Sequence, residues 1–231
     1  MRQEKAGAKS TMRPFVELTH PSEIVSRNAY AITCAAALFL RDGIASVRMT
    51  DIADAAGIGV ATLYRHYKTK TKIAICAGTF MWNRFNSRIR GFIEADEFLA
   101  LSGAERLSML FGTYIDAYTA HPDFVRFLDE FDHLMLAEGL ALAELEAYGG
   151  AIDSFYIIFE DAYRLGLADG TIAREVDFAV FYRTIAHAMM GIAQKLVRGE
   201  IIPSDDFSQG RRELECIVQM ARRTLGIADE G

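Results

Sequence analysis

Apolar residues recur every three or four positions along most of this chain, which is the spacing of one face of an α-helix. The first apolar stripe follows Ser22, a residue type that caps helix N-termini, and stops near Gly43, a residue type that ends helices. Helical spacing resumes at Thr69 and continues almost to the last residue, and no segment shows a convincing two-residue alternation. The pattern predicts an all-α fold with about nine helices.

Proline and glycine residues mark the breaks between the later helices. A new helix should begin at Pro122, because proline lacks the amide hydrogen that a helix interior requires. Gly139 and the stretches 165–170 and 202–206 supply further breaks. We therefore expect helices at about 69–90, 104–120, 122–137, 142–165, 177–198 and 207–225.

Charge is distributed unevenly along the chain. The net charge is −6, but residues 1–90 contain 14 Lys or Arg and 6 Asp or Glu, a net charge of +8, whereas residues 91–231 contain 11 and 25, a net charge of −14. A basic module on an acidic body is typical of a protein that binds a polyanion, although chance clustering on solvated faces gives the same pattern. Residues 1–21, which lack periodicity and mix Lys, Arg, Ser and Thr, are predicted to form a flexible basic arm.

Other features of the composition narrow the function. The three widely spaced cysteines favour a reducing cytoplasm over a disulfide framework, and we expect neither a secretory signal nor a membrane-spanning segment. The five histidines lack the spacing of a metal site, and no glycine-rich phosphate loop or G-x-S-x-G motif occurs. We therefore expect a cytoplasmic protein without metal or cofactor, and an enzymatic function has no specific support.

The segment Met49–Tyr67 reads MTDIADAAGIGVATLYRHY and has the layout of a helix-turn-helix. Thr50 is expected to cap the first short helix, Ala53 allows two backbones to approach closely, and Gly57 suits a left-handed turn. A second short helix would bury Leu63 and present an outward polar set, Thr62, Tyr64, Arg65 and His66. In DNA-binding proteins of this layout the second helix enters the major groove, whereas a plain αα-hairpin is the alternative.

The lysines that follow this second helix favour DNA binding. If Thr69 caps the next helix, Lys70 and Lys72 lie in its first turn, where positive charge opposes the helix dipole at a cost of about 0.3–1 kcal/mol each. A DNA phosphate bound at the start of that helix would contact the backbone amides and also Lys68, Lys70 and Lys72, which would offset this cost. DNA binding therefore explains the placement.

These motifs resemble the DNA-binding region of the TetR family of transcriptional regulators. The matching stretches are AAALFLRDGIASVRMTDIADAAGIGVATLYRHY and KTKTKIAI, and beyond Arg90 only length and helical layout are similar. The resemblance implies a three-helix DNA-binding domain at 22–68. It also implies a ligand-binding and dimerisation domain at 69–231, in which 69–90 is a connecting helix.

The resemblance also implies DNA contacts residue by residue. A first group of residues would contact backbone phosphates: Thr50, Thr62, Tyr64, His66 and Lys70. The lysine cluster described above adds Lys68 to this group. Positions that often face bases hold Val60, Ala61 and Arg65. This sequence departs from the family at Gly59 and Val60, where Ser and a polar residue are common. Because the side chains of Val60 and Ala61 cannot hydrogen-bond a base edge, we expect Arg65 to be the main reader of base identity.

The acidic body carries aromatic residues at helical spacing, which usually form a core. Their density also suits an apolar ligand cavity, and we expect its lining to include some of Tyr114, Tyr118, Phe131, Phe155, Phe159 and His187. The helix at about 177–198 is apolar on two faces and so needs a second partner, which we expect to be another subunit. The resemblance implies that this helix and the last one, at about 207–225, form a four-helix homodimer interface.

We therefore expect a homodimeric, sequence-specific repressor that an unidentified small apolar or amphipathic effector releases from a palindromic double-stranded DNA operator. Two alternatives remain at this point. One is a DNA-binding dimer of the same fold that is controlled by a protein partner or by no small effector. The other is a helical enzyme with a vestigial DNA module.

Overall fold

The computed structural model of the protein describes residues 27–199 and 201–228. Within these residues there are ten α-helices and no strand, so the all-α prediction is confirmed. The predicted basic arm, residues 1–21, and the predicted cap Ser22 lie outside the described residues.

The first three helices are α1 Arg27–Asp42, α2 Met49–Ala56 and α3 Val60–Tyr67. The remaining helices are α4 Lys70–Ile93, α5 Asp96–Leu99, α6 Gly103–Ala120, α7 Pro122–Glu138, α8 Glu146–Ala168, α9 Phe178–Arg198 and α10 Gly210–Leu225. The pattern missed α5, because a single turn is too short to show helical periodicity. The helix expected from residue 142 begins at Glu146, since Leu142–Leu145 forms a 3-10 turn.

The predicted helix breaks at Gly43, Gly57, Pro122 and Gly139 coincide with observed helix ends, whereas α8 ends and α10 begins three residues later than expected. Pro122 occupies the first turn of α7, where its missing amide hydrogen costs nothing. Gly43, Gly57 and Gly139 all have positive φ values, of 82°, 65° and 59°. Glycine adopts this conformation without a steric penalty, which ends each preceding helix at its observed place.

The buried apolar side chains form one continuous cluster from α1 to the end of α10. In the amino-terminal part, α1 packs on α2 and α4, and α2 packs on α3. In the body, α8 packs on α4 and α6, and α10 packs on α9 and α6. Helix α4 therefore belongs to both parts, with one buried face towards α1 and another towards α8.

A second connection joins the body to the amino-terminal helices. On α7, the Arg126 guanidinium donates a hydrogen bond to the Leu40 carbonyl, and the Glu130 carboxylate accepts one from the Ile44 amide. The helix expected at 69–90 is therefore accompanied by a second contact between the body and the amino-terminal helices. The hydrogen bonds from α7 fix the loop after α1 from the side of the body.

Candidate nucleic-acid interface

Helices α2 and α3 are joined by a tight turn at Gly57. Its amide donates a hydrogen bond to the Asp54 carbonyl at 3.1 Å, and the Ile58 amide donates to the Ala53 carbonyl at 3.0 Å. These bonds satisfy carbonyl groups that the end of α2 would otherwise leave without partners. The fully buried Leu63 then anchors α3 against the core, which completes a helix-turn-helix.

Helix α2 begins two residues earlier than expected, and its cap is Arg48 rather than Thr50. The Arg48 amide donates to Asp51 Oδ2 at 2.8 Å, and the Arg48 guanidinium pairs with the same carboxylate at 2.8 Å. These hydrogen bonds from Arg48 lower the pKa of Asp51. The predicted cap was therefore wrong. Thr50 lies inside the first turn with an exposed side chain, and its phosphate contact stays a prediction.

The nine predicted DNA-contacting residues all lie on α2, on α3 or on the segment that leads from α3 into α4. Two of them, Thr62 and Lys70, are half-buried. The others are exposed: Thr50, Val60, Ala61, Tyr64, Arg65, His66 and Lys68. The exposed side of α3 thus combines an arginine with apolar and hydroxyl-bearing groups, which is a chemistry suited to base edges and phosphates.

Lys70 uses its side chain within the protein. Its Nζ donates hydrogen bonds to the carbonyls of Ile44, Ala45 and Val47 at 2.8, 3.1 and 3.1 Å. Because an ammonium group has three donors, all of them are used on the loop before α2. Lys70 therefore fixes the start of α4 against that loop, and a phosphate contact through its backbone amide stays a prediction.

The link between α3 and α4 is a γ-turn centred on Lys68. Lys68 has φ 62° and ψ −46°, and the Thr69 amide donates to the Tyr67 carbonyl at 2.6 Å. A γ-turn with positive φ is rare and strained for any residue with a Cβ atom. Retention of a lysine at such a position is consistent with a function for its charge.

We expect the Lys68→Gly variant to be more stable than the Lys68→Ala variant by about 1 kcal/mol, because only glycine relieves the strained backbone. Both variants lose the same positive charge. Each should therefore lower DNA affinity and reduce the salt slope of binding by about one unit. Urea unfolding and DNA titrations at several salt concentrations measure the two effects separately. Equal stabilities of the two variants would contradict the strain at Lys68.

Of the six predicted ligand-contacting residues, the structure brings four together in the body. The Tyr114 ring lies 5.8 Å from Tyr118, 6.0 Å from Phe155 and 5.3 Å from Phe159. The Tyr114 hydroxyl also lies 2.6 Å from the Tyr182 hydroxyl, and burial raises the pKa of Tyr182 to about 12. These rings form a packed aromatic core with a neutral hydrogen-bonded hydroxyl pair inside it.

The other two predicted ligand residues lie apart from this aromatic core. Phe131 stacks on Tyr148 with ring centroids 4.5 Å apart, and His187 is exposed on α9. A groove of about 650 Å³ lies between α1, α4 and the turn before α8, and none of the six residues lines it. Sequence reasoning also missed Asn86, a residue of α4 with a buried side-chain amide. Its position in the same apolar stripe as Trp82 and Phe85 could have identified it as a buried polar residue.

Neither a membrane-spanning helix nor a metal-binding cluster occurs in the described part of the chain. None of its helices is both long enough and apolar enough to cross a membrane. Nor do three or more His, Cys, Asp or Glu residues in the described ranges cluster in a way that would hold a metal ion.

Comparison with known proteins agrees with the geometry of the helix-turn-helix. Residues 32–75, from α1 into the first turns of α4, match the family described as bacterial regulatory proteins, tetR family. No match was found among curated proteins.

Similar solved structures cover nearly the whole chain. A TetR transcription regulator from Haloarcula marismortui is 18% identical with a TM-score of 0.65, over 87% of this chain and 96% of that one. The ketosteroid transcriptional regulator KstR2 of Mycobacterium tuberculosis is 20% identical with a TM-score of 0.55, over 90% and 97%. FadR from Bacillus subtilis, in complex with stearoyl-CoA, is 16% identical with a TM-score of 0.58, over 81% and 96%. At these identities the comparison shows a shared fold.

The family match falls on the helices that build the helix-turn-helix, and the shared fold includes the helical body. Residues 32–75 therefore carry the DNA-binding region of the TetR family of bacterial regulatory proteins, and the helical body shares the fold of a solved TetR transcription regulator.

Proposed function

We propose that this protein is a repressor that binds a palindromic operator as a homodimer and leaves it when a small amphipathic effector binds the body. The observation that carries the proposal is the exposed side of α3, where Tyr64, Arg65 and His66 face outwards next to the start of α4. The effector would act in the cytoplasm, where a bacterial regulator meets its DNA.

The proposed DNA contacts divide into two classes. Thr50, Thr62, Tyr64, His66 and Lys68 would hold phosphates, which fix the position of the protein without reading sequence. Val60 and Ala61 offer only apolar contact, for example with a thymine methyl group, whereas Arg65 can donate two hydrogen bonds to guanine O6 and N7. Specificity would therefore depend mainly on Arg65.

Selection of binding sites from a random pool of duplex DNA tests this proposal. We expect an enriched inverted repeat with half-sites about one helical turn, or a multiple of it, apart. The Arg65→Ala variant should lose about 1–3 kcal/mol of operator affinity and relax the preference at one base pair in each half-site. Arg84→Ala, on the part of α4 that faces a groove away from α3, is the matched control and should select the wild-type repeat.

Failure to enrich any sequence would refute a sequence-specific regulator. Enrichment of a motif without inverted symmetry would refute the dimeric mode of binding. If the Arg65→Ala variant kept the wild-type base preference, another residue of α3 would be the main determinant of base specificity.

The outer side of α9 and α10 supports the proposed dimer interface. Val180 on α9 and Met220 on α10 are 53% and 56% exposed, although both are large apolar residues. Helix α9 also presents the exposed Gly191, where a Cβ atom would meet no atom within 4 Å, and the half-buried Ile192. Small and apolar residues on two adjacent helices allow close packing against the same helices of a second subunit.

Control by an effector is supported by the layout of the body. Helix α4 runs without interruption from Lys70, at the DNA-binding end, to Ile93, beside α8. The aromatic core of Tyr114, Tyr118, Phe155 and Phe159 supplies an apolar surface, and FadR, which shares the fold, was solved with stearoyl-CoA. A ligand that displaced α4 would move both recognition helices of a dimer at once, so a preference of a few kcal/mol for the displaced state would release the operator.

A further inference from the structure

Asn86 is a polar residue in the interface between α4 and α8, which we call the α4–α8 seam. Its side chain is 8% exposed, and its Nδ2 donates hydrogen bonds to the Ala151 carbonyl at 2.6 Å and to Ser154 Oγ at 2.7 Å. Because a carbonyl can only accept, Nδ2 rather than Oδ1 must face Ala151, which fixes the orientation of the amide. Within the described residues, Asn86 Oδ1 is buried without a hydrogen-bond partner.

A buried acceptor without a partner is costly, and native proteins rarely keep one without a reason. Nearby features suggest the reason. Two cavities, of about 390 and 330 Å³, adjoin the seam, and both are lined by Asn86, Arg90 and Ser154. Asn86 therefore lies in the wall that the two cavities share, with its unsatisfied oxygen buried behind that wall.

The two cavities differ in chemistry. The larger one adds polar groups from α4, Asn83 and Ser87, and its one charged residue is Arg90. The smaller one adds an apolar wall, Ile93, Ile157 and Ile158, together with the carboxylate of Glu94. Ile157 is 58% exposed, which is unusual for a large apolar residue and leaves room for an apolar group to cover it.

We propose that the α4–α8 seam is the effector site, and that it takes an amphipathic organic anion with a hydrogen-bond donor near its acidic group. Arg90 would pair with the acid in the larger cavity, and a hydroxyl or amide N–H would donate to Asn86 Oδ1. The apolar part would cover Ile93, Ile157 and Ile158. Glu94 repels an acid from the apolar end, so the ligand binds in one direction only. This inference rests on the proposed control by an effector.

Spacing on the helix supports this ligand class. Asn86 and Arg90 are four residues apart on α4, so their side chains lie on one face about one helical turn, 5.4 Å, from each other. A donor two carbon atoms from a carboxylate, as in a 3-hydroxy acid, can reach both groups. An acid without the donor would leave Asn86 Oδ1 unsatisfied.

Binding at the seam would be coupled to DNA binding. Asn86 Oδ1 is buried between α4 and α8, so a ligand that reaches it must separate the two helices. Two consecutive helical glycines, Gly149 and Gly150, lie on α8 beside the seam with open space around them, and they weaken the helix locally. The ligand supplies a partner that the closed state lacks, so it favours the open state.

The single tryptophan of the chain reports on this movement. Trp82 precedes Asn86 by one turn of α4, and its Nε1 donates to the Tyr148 hydroxyl across the seam at 3.2 Å. Its ring also packs edge-on against Phe155 of α8, with centroids 5.9 Å apart. Separation of α4 from α8 would break these contacts and change the emission of Trp82.

The test titrates the full-length protein with three probes and follows Trp82 emission. The probes are 3-hydroxydecanoate, decanoate, which lacks the donor, and methyl 3-hydroxydecanoate, which lacks the charge. We expect 3-hydroxydecanoate to bind at least about tenfold more tightly than either of the others, because each lacks one of the two polar contacts.

Three variants locate the site. Arg90 is exposed, so the Arg90→Ala variant should fold normally. It should bind the two acids at least about tenfold more weakly and bind the methyl ester with unchanged affinity. Asn86→Leu should bind decanoate and 3-hydroxydecanoate equally. Arg84→Ala, which lines the groove between α1 and α4 instead, should match the wild type.

Equal binding of all three probes, or wild-type binding by Arg90→Ala, would overturn the proposed site. Loss of binding in Arg84→Ala would overturn it in favour of the groove between α1 and α4. Absence of any emission change up to about 1 mM of every probe would overturn the ligand class. The proposed function fails separately, when no inverted repeat is enriched from random DNA, whatever the probes do.

Discussion

The Gly103→Ala variant is expected to lose at least about 3 kcal/mol of folding free energy, since it forces two helices apart. Helix α6 begins at Gly103, directly against Gly166 of α8, and a Cβ atom there would lie 2.0 Å from the Gly166 amide nitrogen and 2.3 Å from its Cα. Both atoms belong to the backbone, so neither can rotate away as the end of a side chain can. The Gly103 amide would also lose its 2.8 Å hydrogen bond to Asp169 Oδ2.

Urea unfolding followed by circular dichroism measures this loss, and Gly149→Ala is the matched control. Gly149 is also a helical glycine, but a Cβ atom there would meet no atom within 4 Å. The control should therefore gain about 0.5–1 kcal/mol from the better helix propensity of alanine. A Gly103→Ala variant as stable as the wild type would show that α6 and α8 do not cross as closely as described.

The Gly191→Arg variant is expected to be a folded monomer with at least about 100-fold lower operator affinity. Gly191 is exposed on α9, and open space surrounds its Cα, so an arginine fits the isolated subunit. In the proposed dimer the same side chain and its charge would lie in an apolar interface, at a high cost in desolvation. A monomer binds one half-site at a time and loses the 10²–10⁴-fold gain that linkage of two sites gives, by order of magnitude.

Sedimentation velocity and fluorescence anisotropy with the selected operator check both parts of this expectation. Gly112→Arg on α6, which also places its side chain in open space, is the control and should remain a dimer with wild-type affinity. A dimeric Gly191→Arg variant with unchanged affinity would place the subunit interface elsewhere.

Local sequence patterns were sufficient for the helix-turn-helix. Gly57 requires a left-handed turn, Leu63 is the apolar residue that a short amphipathic helix buries, and both effects act within a few residues. The same local reasoning chose Thr50 as the cap of α2 and was wrong. Thr50 and the Asp51 carboxylate both compete for amides at the helix start, and the ion pair with Arg48 decides between them only in the folded geometry.

Long-range partners explain most of what the pattern could not predict. Lys70 was expected to meet phosphate, yet its ammonium binds carbonyls more than 20 residues earlier in the chain. Glu130 on α7 holds the Ile44 amide, 86 residues away, and no spacing in the sequence signals such a pair. Asn86 did carry a signal, as an amide within an apolar stripe, but only the structure shows that its oxygen lacks a partner.

Control of DNA binding by the α4–α8 seam is tested most directly by the distance between the two recognition helices of a dimer. Spin labels at Asp54→Cys, an exposed position on α2, in a chain with Cys76 and Cys216 replaced by serine, report on this distance by double electron–electron resonance, because α2 packs on α3. Gly78→Val places a side chain against the Tyr148 ring, only 2.9 Å from the Cβ position, and so wedges the seam open without any ligand. We predict a narrow distance distribution in the operator complex, consistent with α3 helices about 34–36 Å apart, and a displaced one in Gly78→Val together with weaker operator binding. An unchanged distance in a folded Gly78→Val dimer would contradict the coupling of the seam to DNA binding.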